Sequence, residues 1–208
     1  MILRAEKINK TIGKKSILCD VSVSMESGKI YGICGRNGCG KTMLLRALSG
    51  LMMIDSGKIF LDQKEMHKDF VVLPNLGITI ENAGMFPSMT GFENLKYLSN
   101  IQNKIENIEI EEAIKRVGLD PKDRRQYRKY SMGMRQRIAI AQAIMENQQI
   151  LFLDEPTNGL DESGVDLVRS LLREERAKGK LILLVSHSKE DFEMLCDQIF
   201  KMEDGRLK

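Results

Sequence analysis

A glycine-rich segment is the first feature of the sequence that could do chemistry, because residues 35–42 read GRNGCGKT. It follows an apolar run from Ile30 to Cys34 and precedes leucines at helical spacing, so it would join a strand to a helix. Inward-pointing backbone N–H groups and the helix N-terminus then favour an anion. Lys41 would reach the β- and γ-phosphates of a nucleotide, and Thr42 would bind the Mg²⁺ that bridges them. The other predicted members of this nucleotide site are Gly35, Asn37, Gly38, Cys39, Gly40 and Met43.

Two adjacent carboxylates, Asp154 and Glu155, end a second apolar run that begins at Ile150. Open parallel sheets bind ligands at the carboxyl ends of their strands, so charge is expected at such a position. Asp154 would hold Mg²⁺ directly or through water. Glu155 would accept a proton from the attacking water as general base, which typically accelerates a reaction about a hundred- to ten-thousandfold. The pattern predicts hydrolysis of the bound nucleotide, with Glu155 and Lys41 as catalytic residues.

The elements that must position these residues follow from the apolar patterns. Continuous apolar runs at Ile150 to Leu153 and Leu181 to Val185 are typical of strands that are covered on both faces. Similar short runs lie at Ile30 to Cys34 and Gly77 to Ile80, and helix-like stretches separate the four. Together with the glycine-rich segment, they predict an α/β fold with a parallel sheet, the core of a P-loop NTPase.

Three other segments predict a smaller antiparallel sheet beside the first one. Apolar and polar residues alternate at Leu3 to Ile8, Val21 to Met25 and Lys58 to Leu61. Such alternation is typical of strands that have one buried and one solvated face. We therefore expect a flanking antiparallel β-subdomain.

From about residue 90 to 147 the pattern is helical, and it opens with Thr90 and Glu93 at the spacing of a capping box. This stretch is long for a simple crossover between strands, so we interpret it as an inserted helical lobe. The prediction is a single domain over residues 1–208. Its core and β-subdomain would cover about 1–80 and 148–208, and its α-helical subdomain about 82–147.

Composition excludes several classes of protein. With 208 residues, 42% of them apolar, the chain can bury the core of one domain. A net charge of +3 argues against a dedicated nucleic-acid binder. No apolar run is long enough for a signal peptide or a membrane span, so we expect a cytoplasmic protein. The four cysteines form no CxxC pair, which indicates free thiols.

A local excess of positive charge lies between Lys122 and Arg137, with seven basic side chains against one acidic side chain. One interpretation is a surface for nucleic acid. The other is a solvated face of the helical lobe, whose charge could also attract ATP bound by a partner. We favour the second because Tyr127 and Tyr130 do not alternate with the basic residues as bases stacked on aromatic rings would require. No nucleic-acid partner is therefore expected.

With the two sites above, three further motifs make essentially the whole chain resemble the nucleotide-binding subunits of ATP-binding cassette (ABC) transporters. YSMGMRQR at 130–137 is similar to the family's signature sequence, whose serine and second glycine, matched by Ser131 and Gly133, touch ATP bound by the partner subunit. NGLD at 158–161 resembles the loop whose aspartate, here Asp161, contacts the opposite subunit. His187 follows a strand where the family places a catalytic histidine that senses the γ-phosphate.

The resemblance implies an ATPase that uses ATP and Mg²⁺ and works as a dimer, with an identical chain or with another cassette. It also implies a separate transmembrane permease subunit, and a peripheral location at the cytoplasmic face of the membrane. Two other hypotheses stay open at this point. One is a soluble cassette ATPase that acts on DNA or ribosomes, although such relatives usually have long coiled coils or tandem cassettes. The other is a nucleotide-regulated module with little turnover.

Several positions depart from the family pattern. Met132 and Met134 replace a glycine and a glutamine of the signature, which predicts slower hydrolysis or weaker dimerisation. Ile12 stands where many members stack an aromatic ring on adenine, so GTP could substitute for ATP more readily. Glu81 replaces a glutamine that senses Mg²⁺, water and the transporter, and it is the third expected metal contact beside Thr42 and Asp154.

Glu81 and the segment FPSMTGFENL at 86–95 are similar to members that export, or confer immunity to, antimicrobial peptides such as bacitracin and lantibiotics. Met85, Phe86 and Met89 could line a cleft that receives a short helix of the membrane subunit, because flexible apolar side chains suit an adaptable contact. Burial within the helical lobe is the equal alternative. The resemblance thus favours an exporter of peptides or drugs.

Overall fold

The computed structural model of the chain describes residues 1–80 and 84–208. Its strands are β1 (Ile2–Ile12), β2 (Lys15–Glu26), β3 (Ile30–Cys34), β4 (Ser56–Leu61), β5 (Lys64–Glu65), β6 (Leu76–Thr79), β7 (Ile150–Asp154), β8 (Leu181–Val185), β9 (Gln198–Glu203) and β10 (Arg206–Leu207). Its helices are α1 (Lys41–Ser49), α2 (Gly91–Gln102), α3 (Asn107–Arg116), α4 (Met132–Ile144), α5 (Glu162–Ala177) and α6 (Lys189–Leu195).

The larger sheet is the parallel sheet that the apolar runs predict. Its strand order is β10-β9-β3-β8-β7-β6, and every neighbouring pair except β10 with β9 is parallel. All of β8 and the first four residues of β7 are buried, as expected for central strands covered on both faces. The α/β prediction is therefore confirmed. The carboxyl ends of β3, β7 and β8 consequently meet at one edge of the sheet.

The smaller sheet is antiparallel, in the order β2-β1-β4-β5, and this prediction is also confirmed. Strands β1 and β2 are longer than the alternating segments because they continue as a largely exposed hairpin, in which Leu18 is buried and the register is irregular beyond Ala5. Polar residues in that extension interrupt the alternation of apolar and polar residues by which the strands were predicted. Helix α1 lies between the two sheets, where Leu44, Leu45 and Leu48 are completely buried.

Side-chain caps mark the starts of α2 and α4 between β6 and β7, and the cap of α2 is the one that the sequence indicates. The Thr90 hydroxyl accepts a hydrogen bond from the Glu93 N–H, and the Glu93 carboxylate accepts one from the Thr90 N–H, so α2 starts with a complete capping box. The Ser131 side chain caps α4 by accepting from the Met134 N–H at 3.2 Å. The exact limits of a helical subdomain stay a prediction.

The hairpin of β9 and β10 adds to the parallel sheet an edge that the apolar patterns do not reveal. Most residues of β9 are exposed or half-buried, so neither a continuous apolar run nor a clear alternation marks the strand. The cysteines of the chain are free. None of the helices in residues 1–80 and 84–208 combines the length and the apolar character needed to span a bilayer.

Candidate active site

The glycine-rich loop connects the end of β3 to the first residue of α1, as the sequence predicts. Gly40 precedes the helix with φ of 112°, a conformation that favours glycine. A Cβ atom on Gly40 would lie 2.9 Å from the backbone oxygen of Ile17, and one on Gly35 would lie 2.4 Å from that of Met202. The first turn of α1 contains no acidic side chain, so its N–H groups and partial positive charge are available to an anion.

Lys41 occupies the inside of this loop. Only 7% of the residue is exposed. Its Nζ atom donates hydrogen bonds to the backbone oxygens of Gly35 at 2.8 Å and Arg36 at 3.2 Å, and it lies 3.5 Å from Nε2 of His187. The ammonium group is thus held by carbonyl groups of the loop, which a phosphate oxygen could replace as a stronger, charged acceptor.

Thr42 and Asp154 meet across the sheet edge, although 112 residues separate them in the chain. The Thr42 hydroxyl donates to Oδ2 of Asp154 at 2.6 Å. The N–H of Asp154 donates to Oγ1 of Thr79 at 3.3 Å, which links the end of β7 to that of β6. Hydroxyl and carboxylate oxygens are the ligands that Mg²⁺ prefers in proteins.

Glu155 directly follows β7, and its carboxylate contacts the ring of His187, which follows β8. Oε1 of Glu155 and Nε2 of His187 lie 3.2 Å apart. Glu155 has a φ of 49°, an uncommon value for a residue with a Cβ atom that typically costs about 1–3 kcal/mol and is often found at functional sites. Two contacts hold this backbone: its N–H donates to the Val185 oxygen at 2.8 Å, and its oxygen accepts from the Gln136 amide at 3.1 Å.

Partial burial raises the pKa of the Glu155 carboxyl above its ordinary value, and the neighbouring His187 opposes this shift. The neighbouring Asp154 raises the pKa further. A carboxylate that binds a proton more readily than usual, at the end of a strand and close to a phosphate-binding loop, can take a proton from water. This environment fits the predicted general base.

These groups face a cleft of about 1170 Å³. Of the predicted site residues, the cleft is lined by Asn37, Gly38, Gly40, Lys41, Thr42, Met43, Asp154, Glu155 and His187. Gly35 and Cys39 belong to the same loop, and Gly35 touches the site through its backbone oxygen. Ile12 lies outside the lining, at the exposed end of β1. Glu81 falls outside the described residues.

The segment of the predicted signature reaches the cleft only in part: Tyr130, Met132, Arg135 and Gln136 line it, whereas Ser131 and Gly133 do not. Ser131 is exposed, and Met132 is 62% exposed with its thioether packed over Gly159. Asp161 caps α5 by accepting from the Gly164 N–H at 3.1 Å, and it accepts from Arg137 at 3.0 Å. Thus the signature segment contacts the 158–161 loop, through Gly133 beside Gly159 and through the bond from Arg137 to Asp161, whereas Glu155, His187 and Lys41 contact one another inside the cleft.

Several cleft residues escape sequence reasoning. Ile17 of β2 lines the cleft next to the loop. It precedes the alternating segment that begins at Val21, so no sequence pattern indicates it. Gln136 belongs to the signature segment, but only the fold shows that its amide reaches the Glu155 backbone. Arg135 lies over the ring of Tyr127, with 5.5 Å from its guanidinium carbon to the ring centre. Periodicity cannot show such contacts, because they depend on how separate elements pack against one another.

Comparisons with known proteins agree with this geometry. The profile of the family described as "ABC transporter" matches residues 18–158. The uncharacterized ABC transporter ATP-binding protein YybJ of Bacillus subtilis is 44% identical over 97% of this chain and 92% of its own length. The bacitracin transport ATP-binding protein BcrA of Enterococcus faecalis is 33% identical over 99% of this chain and 68% of its own. The dimeric structure of MJ0796, a bacterial ABC transporter cassette, superposes with a TM-score of 0.88 at 20% identity and covers 99% of this chain and 96% of that chain.

Proposed function

Because this chain belongs to the ABC transporter family and is one of its ATP-binding, ATP-hydrolysing subunits, we propose that the cleft at the strand ends is the hydrolytic site and that it powers an exporter. The observation that carries the assignment of the site is the contact between Glu155 and His187, 3.2 Å apart and beside Lys41. A base, a phosphate-binding cation and a hydrogen-bonding ring converge on one point, where the γ-phosphate of ATP would lie.

Each residue then has a distinct task. Lys41 exchanges its carbonyl partners for the β- and γ-phosphate oxygens and neutralises their charge. Glu155 orients the attacking water and accepts its proton at Oε1. His187 donates to the γ-phosphate or to Glu155, so it holds the base in position while the phosphoryl group moves. The N–H groups at the start of α1 bind the remaining phosphate oxygens.

The residues present also fit a magnesium ion. No cluster of three or more His, Cys, Asp or Glu side chains in the described part of the chain is arranged to hold a metal by itself. Mg²⁺ is usually bound by one or two protein oxygens together with substrate phosphates and water. The Thr42 hydroxyl and the Asp154 carboxylate, 2.6 Å apart, supply such oxygens. When bound, the ion would neutralise phosphate charge.

We further propose that two cassettes bind two ATP molecules head to tail, so that Ser131 and Gly133 of one chain complete the site of the other. The position of Ser131 supports this, because it is exposed and is not among the residues that line the cleft of its own chain. Asp161 is also exposed and accepts a hydrogen bond from Arg137 of the signature segment, and in the dimer it would contact the opposite subunit. A single chain would then be catalytically incomplete.

Complementation tests this arrangement directly. Glu155→Gln removes the base, and Ser131→Asp places a negative charge where the partner's γ-phosphate would bind. Each variant alone should be inactive. In an equal mixture, half of the dimers are mixed and each has one intact site, so about a quarter of wild-type ATPase activity should return. No recovery in a mixture shown to exchange subunits would place both residues in one chain's site and overturn the proposal.

The partner that responds to ATP binding would be a membrane subunit, which this chain would contact at the cytoplasmic face of the membrane. The segment before α2 supports this, since Phe86 is 41% exposed and its ring packs against the exposed Tyr97 at 4.9 Å between ring centres. Met85, in contrast, packs against the core cluster of the helices, as the alternative of burial expects. The similarity to BcrA supports bacitracin-like peptides as the class exported.

Purification from native membranes tests the assignment to transport. A hydrophobic subunit should co-purify with the wild-type protein, and Phe86→Asp should release it while ATP binding persists. The exposed Ile101→Asp, one turn beyond Tyr97, is a matched surface control for the added charge. Co-purification with DNA or ribosomes would instead favour the soluble ATPase.

We also propose that the site discriminates weakly between ATP and GTP. Ile12 is 48% exposed and outside the cleft lining, which supports weak recognition of the base. GTP should therefore compete with ATP for the site at similar concentrations. Ile12→Tyr should restore a preference for adenine by stacking. Strict adenine preference in the wild-type protein would refute this part of the proposal.

A further inference from the structure

A carboxylate that none of the motifs includes is completely buried behind the Glu155 and His187 loops. Asp191 lies in α6, and none of it is exposed to solvent. Its Oδ2 accepts a hydrogen bond from the Thr157 hydroxyl at 2.7 Å and another from the Ser186 hydroxyl at 3.1 Å. One side chain therefore joins two loops that are separated by about thirty residues of sequence.

These two loops carry the proposed catalytic groups. Thr157 lies two residues after Glu155, and Ser186 immediately precedes His187. The residue after His187 is tied to the same point, because the Ser188 N–H donates to the Ser186 hydroxyl at 3.0 Å and the Ser188 hydroxyl accepts from the Asp191 N–H at 3.2 Å. His187 is thus anchored on both sides, while its own side chain stays 48% exposed.

A buried cation balances this carboxylate. Nε of Arg169 donates to Oδ1 of Asp191 at 2.8 Å, and the Arg169 side chain is only 8% exposed. The same guanidinium also reaches the exposed carboxylate of Glu190 at 3.2 Å. A buried ion pair contributes little net stability, because desolvation offsets most of the attraction, but its directional hydrogen bonds can fix one arrangement of the groups around it.

We propose that Asp191, held by Arg169, is a positioning residue for ATP hydrolysis. Through Thr157 and Ser186 it fixes the separation between the Glu155 carboxylate and the His187 ring, so that both address the same phosphate. Without these bonds the two loops would be linked near the site mainly by the backbone hydrogen bond from Glu155 to Val185. This inference rests on the proposed roles of Glu155 and His187.

Variants of Thr157 test the link with little disturbance of the fold. Thr157→Val keeps the shape of the side chain and removes the hydroxyl, whereas Thr157→Ser keeps the hydroxyl. Thr157→Val should lower kcat about tenfold with little change in the KM for ATP, because the loss of a bond to a charged group is felt in the alignment of the base. Thr157→Ser should restore kcat to within about twofold of wild type.

Ser186→Ala and a control complete the test. Ser186→Ala should lower kcat in the same way, and the double variant with Thr157→Val should lose less than the product of the two single effects, because both act through Asp191. Glu190→Gln is the matched control, since Glu190 contacts Arg169 but neither loop and is 76% exposed. It should leave kcat unchanged. Thermal unfolding is followed for all variants.

The outcomes separate this inference from the function on which it rests. If Thr157→Val and Ser186→Ala retain wild-type kcat, or if Thr157→Ser fails to rescue, Asp191 does not position the catalytic groups. A lower melting temperature without a change in kcat would show a structural role and would equally overturn the inference. Glu155→Gln is measured in parallel. If it also retains turnover, the proposed site itself is wrong.

Discussion

A buried or half-buried glutamate lies at each end of the parallel sheet, and the pKa values of the two carboxyls are shifted in opposite directions. Glu175 of α5 lies at the amino end of β8. Its Oε1 accepts hydrogen bonds from Arg116 at 2.6 Å and from Lys178 at 2.7 Å, and its Oε2 forms an ion pair with Lys180. Burial alone would raise the pKa of Glu175, but these cations outweigh it and lower the pKa to about 2. At the carboxyl end of β7, burial raises the pKa of Glu155.

The two ends of the sheet thus differ in how tightly a glutamate is held in its charged form. At the amino end three cations form ion pairs with one carboxylate, so it stays charged down to a pH of about 2 and links α3 to α5 through Arg116. At the carboxyl end the Glu155 carboxylate keeps an affinity for protons that chemistry can use. In parallel α/β sheets ligands bind at the carboxyl ends of strands, and here the same residue type serves structure at one end and, as proposed, catalysis at the other.

The largest expected effect is on activity at the carboxyl end. Glu155→Gln should lower ATP turnover about a hundred- to ten-thousandfold, because the amide cannot accept the proton of the attacking water. Equilibrium binding of ATP should persist, since Lys41 and the loop remain. Stability should not fall, because the raised pKa means that the folded state carries this charge at a cost. Phosphate release, nucleotide titration and urea unfolding measure the three quantities, and a residual turnover above a tenth of wild type would contradict the comparison.

The reciprocal substitution addresses the amino end. Glu175→Gln leaves Lys180, which is 1% exposed, buried without its counter-charge. It should therefore lower the free energy of unfolding by about 3–5 kcal/mol in urea titrations. kcat should stay near the wild-type value at temperatures where the variant is folded. Glu174→Gln is the matched control, because Glu174 also contacts Arg116, at 3.1 Å, but is 62% exposed and should contribute less than about 1 kcal/mol.

The pH dependence of stability should carry the signature of Glu175. Its folded-state pKa of about 2 lies below the ordinary value of 4.5, so its contribution is fully present above pH 4.5 and is lost as the pH falls towards 2. The stability difference between wild type and Glu175→Gln should consequently shrink by up to about 1.4 kcal/mol per pH unit across this window. Glu203, whose pKa is also lowered to about 2, contributes equally to both proteins and cancels in the difference. A constant difference from pH 5 to pH 3 would show that Glu175 is not stabilised by its charge.

The site at the carboxyl end of the sheet could be predicted from the sequence because its reactive residues lie in short contiguous segments. GRNGCGKT and the Asp154-Glu155 pair each follow an apolar strand, and a parallel sheet necessarily brings such strand ends together. The central strands are also readable, since burial on both faces requires continuous apolar runs.

The ion pairs at the amino end of the sheet, and the buried residues that position the catalytic loops, could not be predicted in this way. Glu175 lies in the run REERAKGK, which resembles a solvated helix face, and only the tertiary fold places Arg116 and Lys180 around it. Asp191 and Arg169 are likewise charged residues in helices. Periodicity does not show whether such a side chain contacts a buried partner or faces solvent. Sequence patterns report which face of an element is apolar, and they do not report which polar groups meet across elements.

The smallest expected effect on stability concerns Ser131, whose hydroxyl caps α4 and is also proposed to bind the partner's ATP. At this residue a structural role and a catalytic role cannot be assigned to different ends of the sheet. Ser131→Ala removes the cap on α4 and should cost about 1 kcal/mol of stability, and it also removes the proposed donor to the partner's γ-phosphate. Ser131→Asp keeps a capping oxygen for the Met134 N–H, so its stability should stay near wild type while its ATPase activity is lost through repulsion of the phosphate. Urea unfolding and phosphate release distinguish the two roles. If Ser131→Asp keeps its activity, the hydroxyl serves the helix alone, and the second half of the site must be sought elsewhere on that surface.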